Sequence, residues 1–407
     1  MSTYVLPHCN NVLNEDFFDL TIKERNVDKK NNYVEHVLCE KLNNIKSLID
    51  NNVGKWDLYK RITNQYEYIH TNISSSNTSV SKLKPLSRSF YKMIEIMKTF
   101  RILEHYKPRP INTFHLAEGP GGFLEAVVYK RKNPADKYYA MTLIHENDNV
   151  PGWKKSKHFL KKHNNVYIEN GKDNTGNLYN HENFHYCAKK YRNSIDLITG
   201  DGGFDYSLNY DDQEEISLKL IYAQIIFAFA MQKKGGVFIL KVFDMFTNPS
   251  FELIYFLMHA YNKVIIIKPK TSRSANSEKY IVCIDFKYKN TSKWDKKLGD
   301  ILFKMNKVDH NKETIMSLFS ISMPIYYVNC IKELNASFVQ KQITNIMLTL
   351  KYIHGEREDK SNNISKMRKN NINNCIQWCI THEIPNNHIK NLIPNIFTNQ
   401  KYNQKYN

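Results

Sequence analysis

Short apolar runs alternate with amphipathic segments through the middle of the chain. Seven of these runs, rich in Val, Ile and Phe, have the pattern of buried strands: 111–117, 138–144, 166–169, 195–199, 237–242, 264–267 and 280–286. Segments with helical periodicity lie between the runs, near 122–131, 212–233 and 249–261. This alternation predicts an α/β fold with a mainly parallel sheet, helices on both of its faces, and ligands at the carboxyl ends of its strands.

The two ends of the chain have a different pattern. Residues 1–83 are polar and rich in Lys and Asn, and the apolar positions of 33–49 repeat with a helical period. Residues 291–407 also show helical patterns, for example at 335–350, and carry a further Lys/Asn-rich run. We therefore expect a central α/β domain over 84–290, between a helical N-terminal extension and a helical, Lys/Asn-rich C-terminal extension.

A glycine-rich turn follows the first predicted strand, in the stretch 114–123 (FHLAEGPGGF). Gly119, Gly121 and Gly122 allow a sharp bend and the close approach of a ligand. The helix that begins near Gly122 directs free N–H groups at whatever lies above the strand. These features predict a nucleotide-type pocket. The turn is neither a G-x-G-x-x-G motif nor a Walker loop, so a tight connection that binds no ligand is the alternative interpretation.

Charged residues stand at or near the ends of the predicted strands. Asp201 and Lys241 each close an apolar run, and Glu278 directly precedes another. Lys92 lies on a predicted helix at 87–100, off its apolar stripe. A lysine in an apolar strand is costly unless it is paired or loses its proton. Each residue alone could be an ordinary solvated charge, but their joint placement around one glycine-rich turn favours a functional site.

The net charge of the chain indicates which kind of molecule it binds. The 407 residues include 58 Lys and Arg against 40 Asp and Glu, which gives a formal charge of +18 and a pI near 9.3. Such an excess in a chain of this size suggests a polyanionic partner, with nucleic acid as the first candidate. Biased coding that favours Lys, Asn and Ile is the competing explanation, so the charge supports RNA or DNA without distinguishing them.

Cysteines and apolar runs indicate the environment of the chain. The seven cysteines form no paired framework and we identify no signal peptide, so we expect an intracellular, reducing location. The longest apolar run, 221–231, is too short to cross a bilayer, and we expect no membrane partner. Cys375, Cys379 and His382 are residue types that bind zinc, but their spacing on a helix suits packing equally well. We therefore predict no metal site.

Lys92, Asp201, Lys241 and Glu278, together with the glycine-rich turn, resemble the Lys-Asp-Lys-Glu tetrad and turn of the FtsJ/RrmJ-type RNA ribose 2′-O-methyltransferases. Further segments are similar to the enzymes of eukaryotes and large DNA viruses that methylate the mRNA cap: 64–67, 141–143, 201–204, 241–246 and 268–280. The similarity extends from about residue 60 to residue 287. The ordered set of motifs is more specific than any one of them.

The resemblance implies a Rossmann-like, S-adenosylmethionine-dependent methyltransferase fold with a seven-stranded sheet and a catalytic tetrad. It also implies that S-adenosylmethionine is the cofactor, bound by Glu118, Gly119, Pro120, Gly121, Gly122, Phe123 and Asp201. Arg88 and Arg273 would contact the substrate, although for Arg273 a solvated loop arginine is an equally good interpretation.

Three positions depart from the family pattern. His115 stands where many relatives carry an acid, Glu118 stands where a small residue is usual, and Gln65 replaces a proline. Glu118 could take over a contact to the amino group of the cofactor. These departures affect the details of cofactor binding and leave the expected chemistry unchanged.

The reaction that the resemblance implies requires alignment and the removal of one proton. A ribose 2′-hydroxyl is a poor nucleophile near neutral pH, whereas the methyl sulfonium of the cofactor is already activated. We expect Lys241 to be the general base, with no metal required. Burial and the charge of Lys92 favour its neutral form, whereas Asp201 and Glu278 oppose it and orient the amines. The four groups would titrate as a unit.

The expected substrate is the first transcribed nucleotide of capped mRNA, which methylation would convert to cap 1. The segment 271–280 and the long extensions resemble cap enzymes more than compact bacterial ones. A ribosomal or transfer RNA 2′-O-methyltransferase is the alternative among enzymes. A non-catalytic RNA-binding module is a second alternative, against which the complete tetrad argues.

These expectations extend to partners and location. Beyond capped mRNA, the partners we expect belong to the capping or transcription machinery. The Asn, Lys and Ile bias and the virus-like motif variants suggest a large DNA virus as the source, and hence the host cytoplasm or the virion as the location.

Overall fold

The computed structural model describes residues 2–9, 13, 17–25, 32–74, 76–147, 150–203, 213–355 and 357–387, with the backbone only over 357–361. The strands are β1 (Ser2–Val5), β2 (Thr21–Glu24), β3 (Asn112–Leu116), β4 (Lys137–Met141), β5 (Val166–Ile168), β6 (Ile195–Gly200), β7 (Gln232–Val242), β8 (Tyr261–Lys268), β9 (Lys279–Phe286) and β10 (Glu313–Ser317).

Eight of these strands form one sheet in the order β1-β8-β9-β7-β6-β3-β4-β5, while β2 and β10 form a separate antiparallel pair. The strands β7, β6, β3, β4 and β5 run parallel to one another. The strand β9 is antiparallel to both of its neighbours, and β1 is antiparallel to β8. The carboxyl ends of β3, β6 and β7 therefore lie side by side at one edge, where sheets of this kind bind ligands.

The α-helices are α1 (His36–Ser47), α2 (Val53–Thr63), α3 (Ser89–Thr99), α4 (Gly122–Arg131), α5 (Lys157–Lys162), α6 (His181–Tyr191), α7 (Gln213–Met231), α8 (Asn248–Ala260), α9 (Ser292–Met305), α10 (Ile325–His354) and α11 (Arg357–Thr381). Alternate residues of β7 point to opposite faces of the sheet. Phe238 and Leu240 belong to a core that includes side chains of α6, α7, α8 and α9. Val237 and Ile239 belong to a second core, with side chains of α3, α4 and α11.

All seven predicted strands are present, and the α/β fold class is confirmed. The expected seven-stranded sheet has an eighth strand, because β1 pairs with β8 from Ser2↔Lys268 to Val5↔Ile265. The N-terminal extension is therefore not helical throughout, contrary to our expectation. Strands of four residues, such as β1 and β2, carry too short a pattern to be distinguished from loops in the sequence.

The two extensions pack against the central sheet and against each other. The ammonium of Lys46 on α1 lies 2.9 Å from Asp244 Oδ2, just beyond β7, and both side chains are buried. Between α2 and α10, the hydroxyls of Thr63 and Thr349 are hydrogen-bonded at 2.7 Å. The extensions thus share buried polar contacts with the central domain, although its predicted boundaries stay predictions.

Two further features concern the environment of the chain. Within the described part of the chain, no helix combines the length and the apolar character needed to cross a membrane. All seven cysteines are free thiols, and six of them are buried.

Candidate active site

The glycine-rich turn joins β3 to α4, as the sequence predicts. Gly121 has φ +106°, a left-handed conformation that other residues rarely adopt. Gly122 is required for a different reason, because a Cβ there would collide with the hydroxyl oxygens of Ser87 and Ser89 at the start of α3. The absence of a side chain at Gly122 therefore makes space for the protein itself, and the contact of Gly122 with a cofactor stays a prediction.

The side chain of Glu118, which precedes α4, caps the N-terminus of that helix. Its Oε1 accepts hydrogen bonds from the N–H groups of Phe123 at 2.6 Å and of Leu124 at 3.1 Å. These helix N–H groups are therefore not free for a ligand, contrary to our expectation. The phenyl ring of Phe123 is fully buried, and its centroid lies 5.6 Å from that of the Tyr280 ring. This ring contact anchors the turn in the core. The carbonyl oxygen of Pro120 accepts a hydrogen bond from the hydroxyl of Ser156.

The second carboxylate oxygen of Glu118 is unpaired. Oε2 is buried and has no hydrogen-bond partner among the residues that the structure describes. Burial raises the pKa of Glu118 well above its usual value, and the nearby charge of Asp201 raises it further. A cationic group placed against Oε2 would stabilise the ionised carboxylate.

The structure brings the four tetrad residues together at the carboxyl ends of β6 and β7. The ammonium of Lys92 on α3 lies 2.7 Å from the carboxylate of Glu278. Lys241 Nζ lies 3.3 Å from Asp201 Oδ1 and donates a hydrogen bond to the main-chain oxygen of Asp201 at 2.6 Å. Tyr280 links the two pairs, because its hydroxyl donates to Asp201 Oδ1 at 3.0 Å and its ring lies 5.9 Å from Lys92 Nζ.

Burial and charge act in opposite directions on the Lys92–Glu278 pair. Burial lowers the pKa of Lys92, and the carboxylates of Glu278 and Asp201 oppose that effect. Burial also disfavours the ionised form of Glu278, but Lys92 and Lys241 outweigh it and hold the pKa of Glu278 well below its usual value. The hydroxyl of Ser272 adds a hydrogen bond of 2.8 Å to Glu278 Oε1. Glu278 is thus a buried anion that fixes the position of the Lys92 ammonium.

The two predicted substrate arginines differ in their surroundings. Arg273 forms a bidentate pair with Glu67, with Nε and Nη2 at 3.0 and 2.6 Å from the two carboxylate oxygens. Arg88 precedes Lys92 by four residues and donates to the main-chain oxygen of Thr271 at 3.3 Å. Among the described residues Arg88 has no carboxylate within salt-bridge distance, so its guanidinium is the better placed of the two for a phosphate.

The structure shows the surroundings of two departures from the family pattern, His115 and Gln65. His115 is fully buried between Thr113 and Thr199, whose hydroxyls lie 2.9 and 2.8 Å from its ring nitrogens. Burial lowers the pKa of His115 to about 3, so the ring is neutral and belongs to the interior of the sheet. Gln65 is exposed, and its main-chain oxygen accepts a hydrogen bond from Cys375 on α11.

Our sequence analysis missed Glu95 on α3. This buried carboxylate accepts hydrogen bonds from the main-chain N–H groups of Lys270 at 2.7 Å and of Thr271 at 3.1 Å. It thereby holds the segment 268–278, which carries Arg273 and Glu278, against the helix that carries Lys92. A buried acid on the apolar face of a predicted helix is the signal that could have identified it.

The Cys375, Cys379 and His382 group lies in an apolar core. The ring of His382 stacks on Trp378 with 4.1 Å between centroids, and its Nδ1 donates to the Trp378 main-chain oxygen at 2.8 Å. Burial raises the pKa of both thiols. In the part of the chain that the structure describes, no cluster of three or more His, Cys, Asp or Glu residues could hold a metal ion.

Residues 85–286 match the family model of the FtsJ-like methyltransferases. A cap-specific mRNA (nucleoside-2′-O-)-methyltransferase 2 from Danio rerio is 30% identical over 290 residues, which cover 66% of this chain and 38% of that protein. A cap-specific mRNA (nucleoside-2′-O-)-methyltransferase 1 from Dictyostelium discoideum is 32% identical over 293 residues, with the same coverage of 66% and 38%. The chain thus spans about two fifths of the length of these relatives.

A solved structure is also similar to this one, with a lower sequence identity than the two relatives. It is the crystal structure of a putative ribosomal RNA methyltransferase from Plasmodium falciparum, with a TM-score of 0.36 and 22% sequence identity. The match covers 49% of this chain and 98% of that one, and it is too distant to support a conclusion about function.

Proposed function

We propose that this chain, which contains an FtsJ-like methyltransferase domain over residues 85–286, transfers the methyl group of S-adenosylmethionine to a ribose 2′-hydroxyl of RNA. The most similar relatives named above are cap-specific, and we propose that the target is the first transcribed nucleotide of capped mRNA. The observation that carries the proposal is the meeting of the Lys92–Glu278 and Lys241–Asp201 pairs beside the glycine-rich turn.

The residues of the turn fit S-adenosylmethionine. This cofactor carries a cationic amino group, and the buried, unpaired Oε2 of Glu118 is an acceptor for such a group. We assign the cofactor to Glu118, to the turn 119–122 and to Asp201. Phe123, whose ring is buried and whose N–H is bonded to Glu118, supports this turn. When bound there, the cofactor supplies a methyl group on a positively charged sulfur, so the protein needs to align the hydroxyl and remove its proton.

We assign the removal of that proton to Lys241. A neutral amine can donate one N–H to the main-chain oxygen of Asp201 and still present its lone pair to a hydroxyl, and the 2.6 Å contact would hold it in that orientation. The carboxylate of Asp201 would then stabilise the ammonium that forms. The Lys92 ammonium, held in place by Glu278, would donate to the ribose oxygen and stabilise the negative charge that develops there.

Arg88 is our candidate for the phosphate next to the target ribose. It lies one helical turn from Lys92, and five N–H donors in a planar fork suit a phosphate group. Arg273 is a weaker candidate, because Glu67 already occupies one edge of its guanidinium.

The test is a methyl-transfer assay with radiolabelled S-adenosylmethionine and three short transcripts of one sequence. The first has a cap, the second a 5′-triphosphate, and the third a cap followed by a 2′-deoxyribose. We expect efficient transfer to the first transcript only. Equal transfer to the first two would indicate a ribosomal or transfer RNA enzyme, and no transfer to any RNA would indicate a non-catalytic module.

A further inference from the structure

A basic cavity of about 190 Å³ is lined by residues of the segment 268–278. Four parts of the chain line it: Ser2, residues 64–66, the segment 268–278 with the adjoining Lys279, and α10. Small-molecule sites commonly have ~300–1,000 Å³. At ~30 Å³ for each water molecule, this cavity holds about six waters, enough for a phosphate group and its contacts but not for a whole nucleotide.

Four lysines line this cavity, which we call the lysine pocket: Lys268, Lys270, Lys279 and Lys341. Among the described residues, no Asp or Glu belongs to its lining. Lys279 lies 3.4 Å from Asp244, whose single negative charge it shares with Lys46. The ammonium of Lys268 donates hydrogen bonds to neutral oxygens, among them Asn276 Oδ1 and the main-chain oxygen of Glu278, both at 2.8 Å. The pocket therefore carries a net positive charge.

Lys270 and Lys341 are exposed and stand at the mouth of the lysine pocket. Lys270 Nζ lies 5.8 Å from the centroid of the Tyr66 ring, and Lys341 Nζ donates to Ser2 Oγ at 2.9 Å. Each ammonium has three N–H donors, so both retain donors for a ligand. Amide side chains at the wall, from Asn276 and Gln342, add polar groups of the kind that accompany bound phosphates.

A single residue, Ser272, connects the lysine pocket to the tetrad. Ser272 lines the pocket and also donates to Glu278 Oε1 at 2.8 Å. Lys268 donates to the main-chain oxygen of the same glutamate. An RNA strand with its ribose at the tetrad would therefore carry neighbouring phosphates towards the pocket.

We propose that the lysine pocket binds a backbone phosphate of the substrate RNA, held by Lys270 and Lys341 at a position separate from the tetrad and from Arg88. This inference rests on the proposed function for the identity of the polyanion. The net charge of the pocket, its size and its lack of carboxylates are independent of it. Burial lowers the pKa of Lys268 to about 7, and an anion in the pocket would stabilise the charged form of this lysine.

The experiment measures the affinity for a short capped RNA, by fluorescence anisotropy, as a function of salt concentration. The proteins are the wild type, the double variant Lys270→Gln/Lys341→Gln and the control Lys263→Gln. Lys263 is an exposed lysine near the opposite end of β8 from Lys268, ~17 Å away at ~3.3 Å per residue. All the substituted side chains are exposed, so folding should be unaffected.

We expect the double variant to bind RNA about tenfold more weakly, the loss typical of a charge-assisted contact. The slope of log affinity against log salt should fall by about 0.7, the value for one phosphate of a single strand. The control should match the wild type. Unchanged affinity and slope in the double variant would overturn the proposal, and so would an equal loss in the control.

A calorimetric titration with inorganic pyrophosphate separates the two sources of phosphate. If the pocket served free phosphates only, the double variant would lose pyrophosphate binding and keep its RNA affinity, which would overturn the assignment to RNA. Because these measurements follow binding, absence of methyl transfer would count against the proposed function without affecting the result for the pocket.

Discussion

The indole N–H of Trp378, on α11, donates a hydrogen bond of 3.3 Å to the carboxylate of Glu95, on α3. The same carboxylate accepts hydrogen bonds from the main-chain N–H groups of Lys270 and Thr271. The C-terminal extension is thus bonded to the group that positions the segment of Glu278. This contact gives α11 a role at the active site that its distance in sequence does not suggest.

We predict that Trp378→Phe slows methyl transfer about fivefold, because loss of one hydrogen bond costs about 1 kcal/mol and loosens the segment 268–278. Affinity for S-adenosylmethionine should stay the same, since the turn that we assign to the cofactor is not in this contact. The control is Trp294→Phe, because the buried indole nitrogen of Trp294 has no hydrogen-bond partner among the described residues. Single-turnover rates that fall equally in both variants would show that only packing is involved.

Glu118 should make cofactor binding dependent on pH. Its pKa is raised by burial, so the carboxyl takes up a proton as the pH falls through that raised value, and a protonated carboxyl attracts an ammonium less strongly. We therefore expect the affinity for S-adenosylmethionine to decrease at acidic pH in the wild type. Calorimetry over a series of pH values measures this directly.

In Glu118→Gln this pH dependence should disappear and the affinity should be low throughout, because the amide oxygen can still accept from Phe123 and Leu124 but carries no charge. Glu125→Gln is the matched control. Burial also raises the pKa of Glu125, which lies on α4 and accepts a hydrogen bond from the main-chain N–H of Leu86. An unchanged pH dependence in Glu118→Gln would remove Glu118 from the cofactor site.

Arg273 and Arg88 should differ in what their loss affects. We expect Arg273→Gln to lower the free energy of unfolding by about 3 kcal/mol, because the fully buried carboxylate of Glu67 loses its cationic partner and keeps only the neutral donors of Asn64 and Thr71. Arg88→Gln should change that free energy by no more than about 1 kcal/mol and should mainly weaken RNA binding. Urea denaturation and RNA titration of both variants test this difference, which a reversed order of effects would contradict.

The sequence predicted those parts of the fold and site that depend on local pattern. The runs of apolar residues gave the strands, and the rule that ligands lie at strand ends placed Asp201 and Lys241 together. Side-chain pairing was not predicted, because it joins residues far apart in the chain: Arg273 and Glu67 are separated by 206 positions, and Trp378 and Glu95 by 283. No periodicity connects such residues.

For Glu118, which the sequence analysis assigns to the cofactor, the hydrogen bonds to the N–H groups of α4 were not predicted. The glycines predicted the turn, but the choice between a ligand and Glu118 as the acceptor for the helix N–H groups depends on the rotamer of one side chain. Its unpaired oxygen is visible only once the surrounding burial is known.

In the proposed reaction, Lys241 removes the proton from the ribose hydroxyl. The most direct test is the single-turnover rate of methyl transfer to capped RNA by Lys241→Arg at saturating S-adenosylmethionine, with Lys263→Arg as the control. A guanidinium keeps its proton at any usable pH and cannot accept another, so we predict loss of transfer in Lys241→Arg with cofactor affinity retained, and full activity in the control. Retention of most of the wild-type rate by Lys241→Arg would contradict the account, because the proton would then have to go to Asp201, Glu278 or water.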